Sequence, residues 1–318
     1  MDIDDESLFR LFTSSSEGDV ISFYDRFSDA THLISFLSGV RRDPGKIDAR
    51  IVDKNLPTIV CPTLSSESER AESIMEAFRN MNIVFVQSGA ENIHFNYSTN
   101  CNLGIEYALR KTASPWIIIT NDDVRVIDPP DRFLQELKEK DPSIYDVLYA
   151  GFPSTYHSYT SILLEKNSLY RAFAGKIIGH ISKSNFLLNK FSVKYIPVWN
   201  GNTDLAGRLS HSLFSRKIGQ VINFGSFGIF SRNFVENTGQ PFFDPAYWNG
   251  VEDIDLSLRI AIKRAKGGVL RFRLEDEIGG SLGRGMVRYL RNIANYAVLN
   301  MKFPSKQISG IDQILEDR

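Results

Sequence analysis

The chain has 318 residues, of which 42% are hydrophobic and 24% charged, and its formal net charge is −1. This composition is typical of a folded globular protein. The charge gives no basis for nucleic-acid binding, and two cysteines without CxxC spacing exclude a disulfide scaffold and a cysteine-based zinc site. An acidic N-terminus and the absence of an apolar run long enough to span a membrane lead us to expect a cytoplasmic protein.

The order of predicted elements indicates an α/β fold. Residues 1–55 are polar with short apolar clusters, which predicts a mostly helical N-terminal extension. From residue 56, buried strands are predicted at 58–61, 83–86 and 117–119, with helices at 68–79 and 99–111 between them. This alternation is typical of parallel βαβ units. Since such sheets bind ligands beyond the carboxyl ends of their strands, we expect Thr63, Ser88 and Asp122–Asp123 on one rim.

The most informative stretch follows the third predicted strand. The apolar run Ile117–Ile119 leads directly into Asn121, Asp122 and Asp123. Adjacent carboxylates at a strand end need water, cations or a metal as partners. A divalent cation such as Mg²⁺ or Mn²⁺ that carries a diphosphate would suit them, because such ions take one or two carboxylates plus phosphate oxygens. A simple turn after the strand is an equally good interpretation of this stretch alone.

A second acidic cluster lies at the start of a predicted helix. Glu252, Asp253 and Asp255 fall in or near its first turn. Acidic residues in this position can simply cap the helix and complement its dipole, but three carboxylates in four positions exceed what one cap requires. Trp248, just before this helix, offers a flat face for a sugar ring or is an ordinary core residue.

Three blocks, in order along the chain, resemble the glycosyltransferase family 2 proteins of the GT-A fold. They are the strand Ile59-Val60-Cys61-Pro62-Thr63, the Asn102-Leu103-Gly104 helix leading to Asn121-Asp122-Asp123, and the segment 228–259 with Glu252-Asp253-x-Asp255. The resemblance implies a Rossmann-like fold with a mixed, mostly parallel sheet flanked by helices, over residues 56–282. It further implies a metal-dependent, inverting transfer of a sugar from a nucleoside-diphosphate sugar to a hydroxyl of a glycan or lipid-linked acceptor.

The resemblance also assigns roles to individual residues. Asp123 matches the metal-binding aspartate, and Asp253 matches the general base, with Glu252 and Asp255 in support. The donor contacts that it implies are Pro62, Thr63, Ser88, Asn102, Asn121 and Asp122. Glu277 takes the place of a late metal-binding histidine, and Trp248 is the expected acceptor contact. The chain departs from the family where its second strand ends in Gln87-Ser88 without an aspartate, and where Asn121 replaces the first aspartate of the DxD motif.

Two further segments predict amphipathic helices. They are an insertion at 151–216 and a C-terminal region at 283–318, in which apolar stripes and basic residues recur over 163–194 and 284–301. Packing on the domain with solvated basic faces is one interpretation. Peripheral contact with an anionic membrane surface is another, and it would suit a lipid-linked acceptor. The insertion could also act as a lid over the donor site.

Two other functions remain open at the level of sequence. The first is a non-catalytic sugar-nucleotide or glycan-binding module, which the missing aspartate and histidine favour and the Glu252-Asp253 pair opposes. The second is a sugar nucleotidyltransferase, which should carry a glycine-rich, basic phosphate loop after its first strand. Residues 62–66 contain neither glycine nor lysine, and this counts against it.

Overall fold

Alternating strands and helices make up most of the chain. The computed structural model describes residues 8, 11, 14–89, 92, 94–151, 159–166, 179–199, 216–276 and 285–313. Its strands are β1 (Lys46–Arg50), β2 (Thr58–Thr63), β3 (Asn82–Gln87), β4 (Trp116–Thr120), β5 (Val124–Val126), β6 (Val147–Gly151), β7 (Tyr159–Glu165), β8 (Tyr195–Trp199), β9 (Lys217–Asn223), β10 (Phe227–Ser231) and β11 (Gly267–Asp276). Its helices are α1 (Glu17–Asp25), α2 (Ala30–Gly39), α3 (Glu69–Ala77), α4 (Tyr97–Lys111), α5 (Pro130–Lys138), α6 (Gly179–Lys190), α7 (Arg232–Thr238), α8 (Glu252–Ile262), α9 (Gly285–Lys302) and α10 (Ser305–Ile308).

The central sheet has the strand order β1-β3-β2-β4-β10-β6-β11-β5. Strands β3, β2 and β4 are parallel and are connected by α3 and α4, which are the βαβ units predicted from the sequence. β10 runs antiparallel to both of its neighbours, and β11 is parallel to β6 and antiparallel to β5. The α/β fold class, a Rossmann-like mixed sheet flanked by helices, is therefore confirmed.

Helices cover the two faces of the parallel strands because these strands are apolar on both faces. Ile59 and Ile118 lie in a core formed with α3 and α5, whereas Val60 and Ile119 lie in a second core with α4, α7 and α8. Gly104 allows α4 to approach closely, since a Cβ atom there would overlap the Val60 side chain. The sheet is thus buried on both faces, and its strand ends are left as the place for polar chemistry.

The insertion at 151–216 differs from the helical segment that we predicted. It contributes β7, β8 and the single described helix α6, and β7 pairs with β8 and β9 in a three-stranded antiparallel sheet. Apolar residues at near-helical spacing do not by themselves distinguish a helix from strands here. The sequence of β7 is rich in β-formers, and Pro197 within β8 would break a helix interior. Leu163 and Leu188 are buried, and part of the predicted stripe lies outside the described residues.

The N-terminal residues pack against the C-terminal helix. α1 and α2 contact α9, and Tyr24 of α1 is completely buried there. Its hydroxyl donates to the carbonyl of Leu290 at 2.7 Å and accepts from the N–H of Ala294 at 3.2 Å. Arg291 donates to the carbonyl oxygens of Leu11 at 2.7 Å and of Ser14. β1 lies before the predicted domain start at residue 56, yet it forms the edge of the central sheet.

The apolar stripe of the C-terminal helix is part of this core. Leu290, Ile293, Ala297 and Val298 are buried among the residues of α1 and α2. This packing agrees with the first of the two interpretations of 284–301, and contact of its basic residues with a membrane surface stays a prediction. Within the described ranges, no helix combines the length and apolar character that crossing a bilayer requires.

Candidate active site

The predicted rim at the carboxyl ends of the parallel strands is present. The hydroxyl of Thr63, at the end of β2, donates to Asp122 Oδ2 at 2.8 Å, and the Ser88 hydroxyl after β3 donates to the Thr63 carbonyl at 3.2 Å. Asp122 and Asp123 form the turn between β4 and β5. Asp122 and Asp123 therefore form a turn after the strand, and they also lie with Thr63 and Ser88 at the carboxyl edge of the sheet. Both predictions for this stretch are correct, and the two carboxylates are half-buried.

A pocket of about 520 Å³ opens beside this turn. Its lining residues are Glu69, Arg70, Ser73, Asp122, Asp123, Val124, Arg125 and Glu275. Arg70 Nη1 lies 3.9 Å from Asp122 Oδ1, and Arg125 forms an ion pair with Glu275. Side chains of both signs therefore surround the pocket, and its volume is within the range of small-ligand sites.

The donor atoms in this pocket suit a hard divalent cation only in part. Among the residues that the structure describes, no group of three His, Cys, Asp or Glu side chains is arranged to hold a metal ion. Asp122 and Asp123 could supply two carboxylate ligands, which suffices when a substrate diphosphate supplies the others. Glu277, the predicted further ligand, lies outside the described residues. The backbone of Asp276, the residue before it, pairs with Val124, the residue after Asp123.

The second acidic cluster begins α8 after a strained turn. Asn249 has φ +49° and Val251 has φ +74°, and the left-handed region is unfavourable for a β-branched residue by roughly 1–3 kcal/mol. The Asn249 side chain holds the turn, because it accepts from the N–H of Tyr97 at 2.8 Å and donates to the carbonyl of Phe95 at 3.1 Å. Backbone strain of this kind is concentrated at functional sites, so the turn marks the start of α8 as a candidate.

Glu252 is held in a neutral form by its surroundings. Burial and, to a smaller extent, the adjacent charge of Asp253 together raise the pKa of Glu252 to about 8, against the opposing effect of hydrogen bonds from backbone N–H groups. The residue is 8% exposed, and its Oε2 has no hydrogen-bond partner among the described residues. At neutral pH Glu252 therefore holds a proton that it can donate.

Asp253 has a different environment. Burial raises the pKa of Asp253, whereas a hydrogen bond from Asn223 lowers it. Asn223 Nδ2 donates to Asp253 Oδ2 at 2.6 Å. Of these two neighbouring carboxyl groups, only Asp253 receives a hydrogen bond from a side-chain amide. In this arrangement Asp253 can act as the base and Glu252 as the acid.

Asn223 is a site residue that was not predicted from the sequence. This residue ends β9 and is completely buried, although buried asparagines are uncommon. A signal was present, because Asn223-Phe224-Gly225 between two apolar strands is typical of a tight turn. Gly225 has φ +61°, and the Ser226 carbonyl in the same turn accepts from the N–H of Asn121 at 3.0 Å. The turn therefore connects the carboxylates of α8 with those that follow β4.

Asp255, which we predicted to support the base, is directed into the core of the protein. Its side chain has no exposed surface, and its oxygens lie 2.8 Å from Arg259 Nε and 2.6 Å from Lys302 Nζ. Tyr247 donates a further hydrogen bond at 3.1 Å. Because Asp255 is two residues after Asp253 on a helix, its side chain lies on a different face from that of Asp253, and here that face is turned into the core.

Three other predicted contacts are also directed into the fold. The amide of Asn102 donates to the Phe243 carbonyl at 2.7 Å and accepts from the N–H of Phe243 at 2.8 Å, so it anchors a loop. Pro62 is buried within β2. Trp248 is 2% exposed, with the Arg42 guanidinium 5.2 Å from the ring centroid, so it cannot present a flat face to a sugar.

No protein-family model and no curated protein matches this sequence. Two solved structures are similar over much of the fold. The crystal structure of A197 from STIV is 11% identical, covering 70% of this chain and 86% of its own, with a TM-score of 0.38. The mannosyltransferase PcManGT from Pyrobaculum calidifontis, in complex with GDP-Man and Mn²⁺, is 11% identical, covering 95% of this chain and 82% of its own, with a TM-score of 0.34. Similarity at this level does not indicate what this chain binds, so its function has to be argued from the residues of the site.

Proposed function

We propose that this protein is a metal-dependent, inverting glycosyltransferase that moves a sugar from a nucleoside-diphosphate sugar to a hydroxyl of a glycan or lipid-linked acceptor. One observation carries the proposal. The turn that starts at Asn223 links the Glu252–Asp253 pair to the Asp122–Asp123 turn. A site with two such groups of carboxylates can serve both the leaving group and the nucleophile of one transfer reaction.

The donor half of the proposal rests on the pocket beside Asp122 and Asp123. These carboxylates would hold Mn²⁺ or Mg²⁺, with Glu277 as the further ligand that the sequence resemblance implies. The cation, when bound, neutralises the charge that develops on the leaving diphosphate. Thr63 supports this role because its hydroxyl donates to Asp122 Oδ2 and so fixes the orientation of that carboxylate. Arg70, which also lines the pocket, can pair with phosphate oxygens.

The acceptor half rests on Asp253. A hydroxyl group is a poor nucleophile, and a carboxylate within hydrogen-bonding distance can take its proton during attack. Asp253 suits this task because it is partly buried and has one oxygen occupied by Asn223. Attack from the side opposite the diphosphate would invert the anomeric carbon. Glu252, which keeps its own proton at neutral pH, can donate a hydrogen bond to the acceptor.

A non-catalytic sugar-nucleotide-binding module is the competing function. One observation favours it: β3 ends without an aspartate, and the Ser88 hydroxyl at this position is hydrogen-bonded to the Thr63 carbonyl. The two functions differ in what Asp253 does. A binding module has no use for a base, whereas a transferase loses turnover without one.

The proposal can be tested by thermal unfolding with a panel of nucleoside diphosphates, each with and without Mn²⁺ or Mg²⁺. A ligand that binds only the folded state stabilises it by roughly 2.7 kcal/mol at one hundred times its dissociation constant. We expect one diphosphate to raise the unfolding temperature, and only when the metal is present. Asp123→Ala should abolish that shift, and the exposed Glu106→Gln variant should retain it.

Turnover distinguishes the transferase from the binding module. With the nucleotide identified, release of the diphosphate from the matching sugar nucleotides can be followed in the presence of glycan and lipid-linked acceptors. Asp253→Asn should lower the rate by at least a hundredfold, as expected for loss of a general base, while the metal-dependent shift stays as in the wild type. Transfer by Asp253→Asn at the wild-type rate would refute the assignment of the base.

A further inference from the structure

The side-chain amide of Asn223, at the end of β9, is hydrogen-bonded on both its oxygen and its nitrogen. It has no exposed surface, and both ends of its amide are engaged. Its Oδ1 accepts from the N–H of Gly225 at 2.9 Å and lies 3.5 Å from the hydroxyl of Ser257. Because Oδ1 is the end that faces these two donors, Nδ2 must face Asp253, and it does so at 2.6 Å. The orientation of the amide is thus set by its own turn and does not depend on Asp253.

We propose that Asn223 is a positioning residue for Asp253: its amide orients the carboxylate and favours the ionised form, and its turn fixes that carboxylate relative to Asn121–Asp123. The inference rests on the proposed role of Asp253 as the base. Asn223 reaches the substrate only through Asp253.

The electrostatic part of the inference follows from the surroundings of Asp253. The charged or titratable neighbours are Glu252 on the same helix and Arg288 on α9, while Tyr97 on α4 lies near Glu252. β9 contributes only Lys217, at the far end of the strand. Glu252 is neutral at pH 7, so it contributes little charge at that pH. Asn223 is thus the one side-chain hydrogen-bond donor identified at Asp253 within the described part of the chain, and its loss should favour the protonated carboxyl group.

The geometric part follows from the turn. Asn223 begins it, the left-handed Gly225 lies in its middle, and the Ser226 carbonyl accepts from Asn121. The strand that follows the turn, β10, pairs with β4, so that Phe227 is opposite Thr120. One short stretch of backbone therefore sets the position of the proposed base relative to the residues proposed to hold the diphosphate. Positioning of reacting groups to within a fraction of an ångström is a large part of the catalytic effect of an enzyme.

The experiment compares Asn223→Ala with wild type by two readouts. In the pH–rate profile, we expect kcat/KM on the acid limb to fall by tenfold or more, the size of a lost hydrogen bond to a charged group. The loss should shrink as the pH rises, because the base then ionises without help. The second readout is a carbon-13 NMR titration in which the Asp253 carboxyl signal is assigned by its loss in Asp253→Asn. In this titration the pKa of Asp253 should be higher in Asn223→Ala than in the wild type. Asn237→Ala, the same substitution at an exposed position on α7, is the control and should leave both readouts unchanged.

Asn223→Asp is the second variant and carries the test if the alanine variant does not fold. It keeps an oxygen for the N–H of Gly225 but places a carboxyl group next to Asp253, so the pair should share a proton and the acid limb should move further. An Asp253 titration that does not move in the folded variants would overturn the inference. A moved titration in a protein without transferase activity would instead support the action of Asn223 on the Asp253 carboxylate and refute the proposed function, including the role of Asp253 as a base.

Discussion

The neutral state of Glu252 predicts an unusual dependence of stability on pH. Between pH 4.5 and about 8, the folded protein holds a proton at Glu252 that the unfolded chain has lost. The free energy of unfolding therefore falls as the pH rises through this range, and the loss is complete above pH 8. The difference between about 8 and the ordinary value of 4.5 corresponds to about 5 kcal/mol at roughly 1.4 kcal/mol per pH unit. Glu252→Gln has no proton to lose, so this part of the pH dependence should disappear.

Urea unfolding followed by tryptophan fluorescence, from pH 5 to pH 9, measures this effect. We expect the variant to gain stability over the wild type steadily through that range, with the largest difference above pH 8. Glu76→Gln, at an exposed position on α3, is the matched control and should follow the wild type. Parallel curves for Glu252→Gln and wild type would show that Glu252 is already ionised at neutral pH, and the acid–base division of this pair would then be incorrect.

Two further predictions concern the elements that carry the site. Gly104→Ala should lower the free energy of unfolding by about 1–2 kcal/mol, because the added methyl group meets the packed side chains of β2 and β3. The measurement is urea unfolding, and Gly39→Ala, where a Cβ has open space, is the control. Lys302→Met should cost about 3 kcal/mol, since it leaves the buried Asp255 with fewer cationic partners, whereas the exposed Lys306→Met should leave the urea midpoint unchanged.

The parallel half of the sheet could be predicted because its signals are local. Ile59, Ile83 and Ile118 lie in short apolar runs with helical patterns between them, and such runs fold in much the same way wherever they occur. The rim of Thr63 and Asp122 followed from this, since parallel strands place their carboxyl ends at one edge.

The direction of individual polar side chains could not be predicted in the same way. Helical spacing places Asp255 on a different face from Asp253, and Lys302, forty-seven positions later, gives that buried carboxylate a partner in addition to the nearby Arg259. Asn102 is occupied by a loop 141 residues away. Neither Lys302 nor the loop at Phe243 is indicated by residues near Asp255 or Asn102 in the sequence. A sequence motif therefore indicates which residues lie at a strand end or a helix start. Contacts with residues far away in the sequence decide which of these side chains face solvent.

The packing of α1 and α2 against α9 has a consequence for synthesis of the chain. Val20, Phe23 and Tyr24 are buried against residues around 290–298, which leave the ribosome more than 250 positions later. The N-terminal helices cannot complete their core until residues 290–298 have been made, so their apolar faces stay exposed while the residues between are synthesised. Contacts between such distant residues slow folding. During that interval, α1 and α2 are the segments that we expect chaperones to bind.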